Sequence, residues 1–376
     1  MTEIRTFGDF ATFKYGKMPI KKKITDIGKY PVYSGYRYVG YYDEYNTEAN
    51  QLIVVARGVG GTGDVKLTKE RCFLTNLSIS ASIDETIALP EYIYYRFLLR
   101  NLRYLDSGSA QSQITISDLE KVKIPLPTVN EQRAICGFLS LIDKKIEINK
   151  KINENLEQQI EAFLLDFLDN KETKPAKLGD YLYIKGRIGW KGLKKSEYLS
   201  QSNYRIINGE TLTKSGIDWN KAGYISEERY VESPEIMLQV GDILLSKDGT
   251  IGKIGYVDSL ELPTSVASGI FVIRNNKPNI ISTTFIYYLL KSRLFESFIA
   301  ARTEGSVIPH LYQKDFMEFE FPLPTSVKMA EFEKLTEPMF SQIINNLNEN
   351  KKLVVLRDAL LPKLMSGELD VSGLDL

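Results

Sequence analysis

One stretch of this chain leaves few choices of fold. Between Asn130 and Leu168, Ile135, Leu139, Ile142, Ile146, Asn149, Asn153, Leu156, Ile160, Phe163 and Phe167 stand alternately four and three apart. That spacing draws a stripe down one side of a helix, the seam of a coiled coil, with two asparagines at its middle. The seam returns 197 residues later as Phe332, Thr336, Met339, Ile343, Asn346, Asn350, Leu353, Arg357, Leu360 and Leu364. Both asparagines recur in place. A helix of about 40 residues is roughly 60 Å long. Neither seam can face water over such a length, so the simplest fold packs one helix against the other.

The repeat extends to the rest of the chain. FGDFATFKYGK (Phe7 to Lys17) matches LGDYLYIKGRI (Leu178 to Ile188), and LIVVARGVGGTG (Leu52 to Gly63) matches DILLSKDGTIGKIG (Asp242 to Gly255). EYIYYRFLLR (Glu91 to Arg100) then pairs with TFIYYLLKSR (Thr284 to Arg293), and DLEKVKIPLPT (Asp118 to Thr128) with DFMEFEFPLPT (Asp315 to Thr325). The offset grows along the chain, and 19 of the 26 added residues enter between Gly179 and Leu244. A scaffold that repeats while one part diverges points to two sites of one design reading different targets. Each half reads as short strands with Gly- and Tyr-rich turns, then a helix around the Ile-Tyr-Tyr block. The expected class is α+β: two similar domains, residues 1–127 and 174–325, joined by two long helices, 128–173 and 326–376, packed as an antiparallel coiled coil with an internal pseudo-two-fold repeat.

Local signals refine this. Pro-Leu-Pro at 125–127 and 322–324 closes the last strand of each half, because proline holds its neighbours extended and cannot continue into a helix. Asn130 is the expected N-cap of the first long helix, with Glu131 in its positive first turn. DNKETKPAKL (Asp169 to Leu178) reads as a polar link. Antiparallel helices with aligned ends bring Asn149, Asn153, Asn346 and Asn350 to one level, where the amides satisfy one another and fix the register.

Composition narrows the function. With 43% hydrophobic and 26% charged residues, the chain has the make-up of a globular protein. Its N-terminus lacks the basic-then-apolar order of a signal peptide, and no apolar run is long enough to span a bilayer. The expected location is the cytoplasm, with no membrane partner. Two cysteines make neither a disulfide framework nor a Cys-rich metal site, and a single histidine, His310, rules out a multi-His constellation. His310 itself is read mainly as structural. No Asp/Asn-Pro-Pro-aromatic tetrapeptide, the motif of adenine methyltransferases, occurs; GVGGTG (58–63) and DGTIGK (248–253) complete neither a dinucleotide nor a P-loop site. No catalytic residue, metal or cofactor is therefore assigned to this chain. Formal net charge is zero, but residues 1–127 carry 17 basic against 14 acidic side chains and residues 174–325 carry 19 against 17, while both helices are acidic.

Taken in order and in duplicate, PLPTVNEQRAI (Pro125 to Ile135), the two Gly-Asp openings, ILLSKDGTIGKIG (Ile243 to Gly255) and ALLPKLMSGELDV (Ala359 to Val371) give a chain that resembles the specificity (S) subunits of Type I restriction–modification systems. The resemblance covers nearly the whole length. It implies two target-recognition domains, each reading one part of an interrupted sequence in double-stranded DNA, and helices that set the spacing and dock two modification subunits. It also implies that those partners hold S-adenosylmethionine and methylate adenine N6, and that restriction subunits join through them. Two other readings stay open: the recognition subunit of a Type IIB-like enzyme, and a two-ended adaptor that bridges proteins without touching DNA.

Candidate DNA contacts follow from chemistry, since Lys and Arg reach phosphates and Arg, Lys, Asn and Gln read base edges. In the first half they are Lys14, Tyr15, Lys17, Lys21, Lys22, Lys23, Tyr36, Arg37 and Arg57. In the second half they are Lys185, Arg187, Trp190, Lys191, Lys194, Lys195, Arg205, Asn208, Lys247 and Thr250. Tyr92, Tyr94, Tyr95, Tyr287 and Tyr288 are read as core.

Overall fold

The computed structural model describes residues 2–35, 37–58, 61–106, 113–169, 172–188, 192–213, 216–303 and 310–371. The chain divides into two compact units, Met1–Ile148 with Glu349–Leu376, and Asn149–Asn348.

The first unit holds β1 (Glu3–Thr6), β2 (Ala11–Tyr15), β3 (Tyr30–Ser34), β4 (Arg37–Tyr42), β5 (Leu52–Val55), β6 (Val65–Leu67), β7 (Phe73–Leu74), β8 (Ser78–Ile83), α1 (Pro90–Leu99), α2 (Ile116–Glu120) and β9 (Lys123–Leu126). Then α3 (Val129–Leu168) begins. An antiparallel sheet runs β2-β8-β5-β6, a second runs β4-β3-β7 with β3 and β7 parallel, and β1 pairs with β9. Side chains alternate across a strand, so Ala11, Leu52, Val54, Ile79 and Ala81 face inward onto Tyr92, Ile93 and Phe97 of α1. The same core takes in Ile135, Cys136 and Leu139 of α3. Burying each large apolar side chain is worth about 1.5–3 kcal/mol against leaving it in water.

The second unit repeats this order. Its elements are β10 (Thr173–Lys177), β11 (Leu182–Gly186), β12 (Tyr204–Ile207), β13 (Leu212–Thr213), β14 (Gly216–Ile217), β15 (Gly223–Ile225), α4 (Glu227–Val231), β16 (Ile243–Ser246), β17 (Ile254–Tyr256), β18 (Thr264–Val266), β19 (Ile270–Asn275), α5 (Thr283–Lys291), α6 (Arg293–Thr303), α7 (Gln313–Met317) and β20 (Glu320–Pro324), followed by α8 (Ser326–Ser366). The sheet β11-β19-β16-β17 reproduces β2-β8-β5-β6, and β15-β12-β18 reproduces β4-β3-β7, including the parallel pair. The added residues lie between Tyr204 and Ile243, where the first unit passes from Tyr30 to Leu52. They supply the β13–β14 hairpin and α4.

Two local expectations are corrected. The stretch read as a link contains β10, which pairs antiparallel with β20 just as β1 pairs with β9. A two-stranded ladder has free edges, so Pro175 and Pro322, lying opposite each other, are tolerated within it. The N-cap of α3 is Thr128 and not Asn130. Its backbone N–H and hydroxyl both donate to the Glu131 carboxylate (2.8 and 2.7 Å), and the Glu131 N–H donates back to Thr128 Oγ1 at 3.3 Å. This reciprocal box satisfies the first donors of the helix better than a lone amide could. It also holds the Glu131 carboxyl below its ordinary pKa.

Within each unit the long helices meet antiparallel. In the first, Ile135 and Leu139 share a core with Leu361 and Leu364 from α8, while Lys145 reaches Glu349 at 3.2 Å. Arg357, which interrupts the apolar seam, bonds to Asp143 at 3.0 Å, and Asp143 accepts from the Tyr95 hydroxyl at 2.7 Å. In the second, Phe167 packs on Phe332 with centroids 5.4 Å apart. Thr336, a second polar interruption of that seam, turns its hydroxyl to the Phe332 carbonyl at 2.9 Å. The asparagines are buried: Asn149, Asn153, Asn346 and Asn350 are 0%, 8%, 4% and 9% exposed. In the second unit Asn346 Nδ2 donates to Asn153 Oδ1 at 2.7 Å, and Asn153 Nδ2 donates to the Ile343 carbonyl at 3.2 Å.

An Asn346→Leu variant strands the Asn153 oxygen in an apolar seam. It is expected to lower stability by about 1–3 kcal/mol, whereas pairing it with Asn153→Leu should recover most of the loss. Urea unfolding of the two variants beside the parent measures both.

Candidate nucleic-acid interface

The four-stranded sheets carry the repeat down to single residues, and their outer faces show where the units part. In the first unit the register sets Lys14, Ser80, Ile53 and Lys66 in one row across the sheet. Ile53 is covered by Cys72, Leu74 and Tyr33. Around Thr12, Lys14, Ser80 and Ser82 the face opens into a cavity of about 400 Å³, walled also by Tyr45, Asn46, Glu48 and Gln51. The matching row in the second unit is Lys185, Val272, Leu244 and Gly255. There the added residues lie on the sheet, as Leu212, Ile236 and Leu238 bury Leu244 and Val272 in a second core. Gly255 marks the contact: a Cβ on it would fall 2.6 Å from Ile217 and 2.8 Å from Leu212. The first sheet is thus covered at its centre and opens into a polar cavity beside Lys14, while the second is covered by the added residues.

In the first unit Lys14, Lys17 and the short 3-10 helix Lys21–Lys23 are exposed. Tyr15, 43% exposed, accepts a hydrogen bond from the Ile116 N–H through its hydroxyl at 3.3 Å. Arg37 opens β4 opposite Ser34 at the end of the hairpin, and Arg57 is exposed just beyond β5. Tyr36 lies outside the described residues. Sequence reasoning missed Lys66, whose ammonium lies 5.1 Å from the Tyr33 ring, and the neighbouring rings of Tyr33, Tyr38 and Tyr41. Alternation alone would set Tyr38 and Tyr41 on opposite faces, since they stand three apart; the register shift at Val32 and Tyr33 brings their rings together, and no window of sequence shows it.

In the second unit Lys185 is exposed, and Lys247 lies along Gly186 with its ammonium 5.1 Å from the Phe271 ring. The structure therefore brings Lys185 and Lys247 to one sheet end. Thr250 is exposed nearby, its carbonyl accepting from Ser246 Oγ at 2.7 Å. Lys194 and Lys195 are exposed where a 3-10 turn begins. Trp190 and Lys191 lie outside the described residues.

Two of the expected contacts, Arg187 and Asn208, bond within the fold. Arg187 is only 3% exposed, and its guanidinium donates to the Val266 carbonyl (3.0 Å), Ser265 Oγ (3.3 Å) and Ser233 Oγ (3.4 Å). Burial, and then the nearby Arg229 charge, push its pKa down. Asn208 builds a turn, its Oδ1 accepting from the N–H groups of Glu210 (2.9 Å) and Thr211 (3.2 Å). Arg205 is largely packed, and its guanidinium reaches the exposed Glu261 at 3.4 Å. Arg274, never a candidate, forks onto the buried Asp242 at 2.6 and 2.8 Å. Most arginines of this unit hold the fold and leave lysines at the surface.

Among the described residues no group of three or more His, Cys, Asp or Glu side chains could hold a metal ion, and no helix is long and apolar enough to cross a membrane. Burial pushes both thiols, Cys72 and Cys136, up to about 12, so neither is a thiolate at neutral pH.

Residues 2–158 and 170–355 match the Type I restriction modification DNA specificity domain. The chain belongs to that family. As a specificity subunit it has relatives in the MjaIX specificity subunit of Methanocaldococcus jannaschii, 28% identical over 80% of this chain and 74% of that one, and the HindI specificity subunit of Haemophilus influenzae, 22% identical over 75% and 78%. A crystal structure of the Type I restriction–modification S subunit from M. genitalium shares the fold, with a TM-score of 0.61 and 23% identity across 97% of this chain and 96% of that one. The chain is a DNA sequence-specificity subunit of a Type I restriction–modification system. That sets aside the adaptor that never touches DNA.

Lys14→Ala and Lys66→Ala in this specificity subunit are each expected to weaken binding to duplexes of any sequence and to reduce the salt slope by about one. Both should leave the unfolding midpoint unchanged. Arg187→Ala is expected to act on the fold, with a loss of about 2–4 kcal/mol from the cavity and the stranded acceptors. Salt titrations of DNA binding, run beside denaturation curves, separate the two classes.

Proposed function

We propose that each unit reads one part of a two-part, interrupted site in double-stranded DNA and that the chain itself catalyses nothing. Modification subunits, two per specificity chain, bind the long helices and supply the chemistry, holding S-adenosylmethionine and methylating adenine N6. The helices set the spacing between the half-sites, and restriction subunits join through the modification subunits. The assembly works in the cytoplasm.

The observation that carries this reading is the double occurrence of one sheet topology, β2-β8-β5-β6 and β11-β19-β16-β17, with outer faces of different chemistry. A single scaffold with two unlike surfaces suits two short sequences better than one continuous one. Phosphate contacts from lysines position a protein on DNA without choosing a sequence, and Lys14 and Lys185 stand at the same place in the two sheets. The acidic composition of both helix segments supports a role toward proteins more than toward phosphate.

The purified chain alone is expected to transfer no methyl group from labelled S-adenosylmethionine to DNA. Adding the modification subunit of the same system should give N6-methyladenine at an interrupted sequence. Methylation by the isolated chain, or an uninterrupted site, would overturn the reading.

A further inference from the structure

We infer that the pairs Arg57–Gln113 and Asp248–His310 are specificity-determining positions, one in each unit, that read base edges of the two half-sites. The inference rests on the two-part reading proposed above and names residues for it. Arg57 and Gln113 face each other in an isolated antiparallel bridge, and so do Asp248 and His310. The two bridges occupy the same place in the repeat, between the turn after β5 or β16 and the residues just before α2 or α7.

The backbone around them is held identically. The Ile114 N–H donates to the Ala56 carbonyl at 2.9 Å, and the Leu311 N–H donates to the Lys247 carbonyl at 2.9 Å. The next residue is a glycine at positive φ in both, Gly58 at +141° and Gly249 at +66°. A Cβ on either would meet none of the described residues within 4 Å, so the turn faces open space.

On this common frame the side chains reverse in polarity. Arg57 is exposed, and among the described residues nothing pairs with its guanidinium. Asp248 is 41% exposed and His310 34%, and the carboxylate and imidazole contact each other through Oδ1 and Nδ1. A purely structural role for that contact fits poorly, because the first unit keeps the frame with no ion pair there among the described residues. The hydrogen-bonding complement is what differs. A guanidinium fork suits the O6 and N7 of guanine, a glutamine amide suits the N6 and N7 of adenine, and a carboxylate accepts from the N4 amine of cytosine. Lys247 and Thr250 flank Asp248, placing groups suited to phosphate beside one suited to a base.

The test uses the specificity chain assembled with its modification subunits and a library of duplexes with randomised half-sites, sequencing those that become methylated. Arg57→Ala should relax preference at a guanine position of one half-site by about tenfold to a hundredfold. Asp248→Asn should change a position in the other half-site only. Binding to random duplex within about twofold of the parent shows that each variant is folded. If Arg57→Ala fails that check, Arg57→Lys, which keeps the charge and loses the fork, carries the test. Variants that keep the parental motif at every position, or weaken all sites equally, overturn the assignment. A parent complex that methylates no defined two-part motif overturns the underlying reading instead.

Discussion

The structure depends on two seams that cannot be left in water. A long helix with an apolar stripe needs a partner along its whole length, and here each compact unit takes half of α3 and half of α8 into its own core. The sheets are built onto those cores, since Ile135 and Leu139 sit with Leu52 and Ile79 in one unit, and Phe332 and Ile343 sit with Leu245 and Phe271 in the other. Several polar seam residues are given a bonding partner: Arg357 has Asp143, Asn346 has Asn153, and Thr336 has its own helix backbone. That choice costs stability relative to leucine but rejects shifted pairings, in which an amide would face a hydrocarbon.

Duplication explains the scaffold, and one insertion explains how its copies came to differ. With Lys66 on β6 and Ser82 on β8 exposed, the first sheet keeps a polar margin in water, while Ser78 and Ser80 are buried. With Gly255, Val272 and Leu244 in those places, the second sheet needs a lid, and the residues between Tyr204 and Ile243 supply it. Insertion and substitution make sense only together. Either alone would leave an apolar face wet or bury a lysine. The corresponding division of labour among charges follows: Arg187, Arg274 and Arg229 hold the added segment and its neighbours, while Lys185, Lys194 and Lys195 are exposed.

Much of this was legible in advance. The heptad seam, its twin, the paired asparagines and the matched blocks all lie in local patterns, and period and spacing are properties of the chain whatever its fold. The N-cap was misplaced by two residues because Asn130 is a good capping residue by type, and only the reciprocal bonds between Thr128 and Glu131 show where the helix begins. The β10 strand was taken for a link because Pro175 argues against a strand wherever the neighbours are unknown. Once β20 pairs with it at an edge, the objection disappears.

The sequence by itself determined the two-copy architecture, the antiparallel logic of the helices and the family to which the chain belongs. The tertiary structure alone decided which cations are free to meet a partner. Lys185 and Arg187 are two residues apart, both basic and beside glycine, yet one is exposed and the other is 3% exposed. The difference is made by Val266, Ser265 and Ser233, which lie far along the chain and close over the guanidinium. Periodicity is written locally. Burial is a sum over distant neighbours, and no window of sequence contains them.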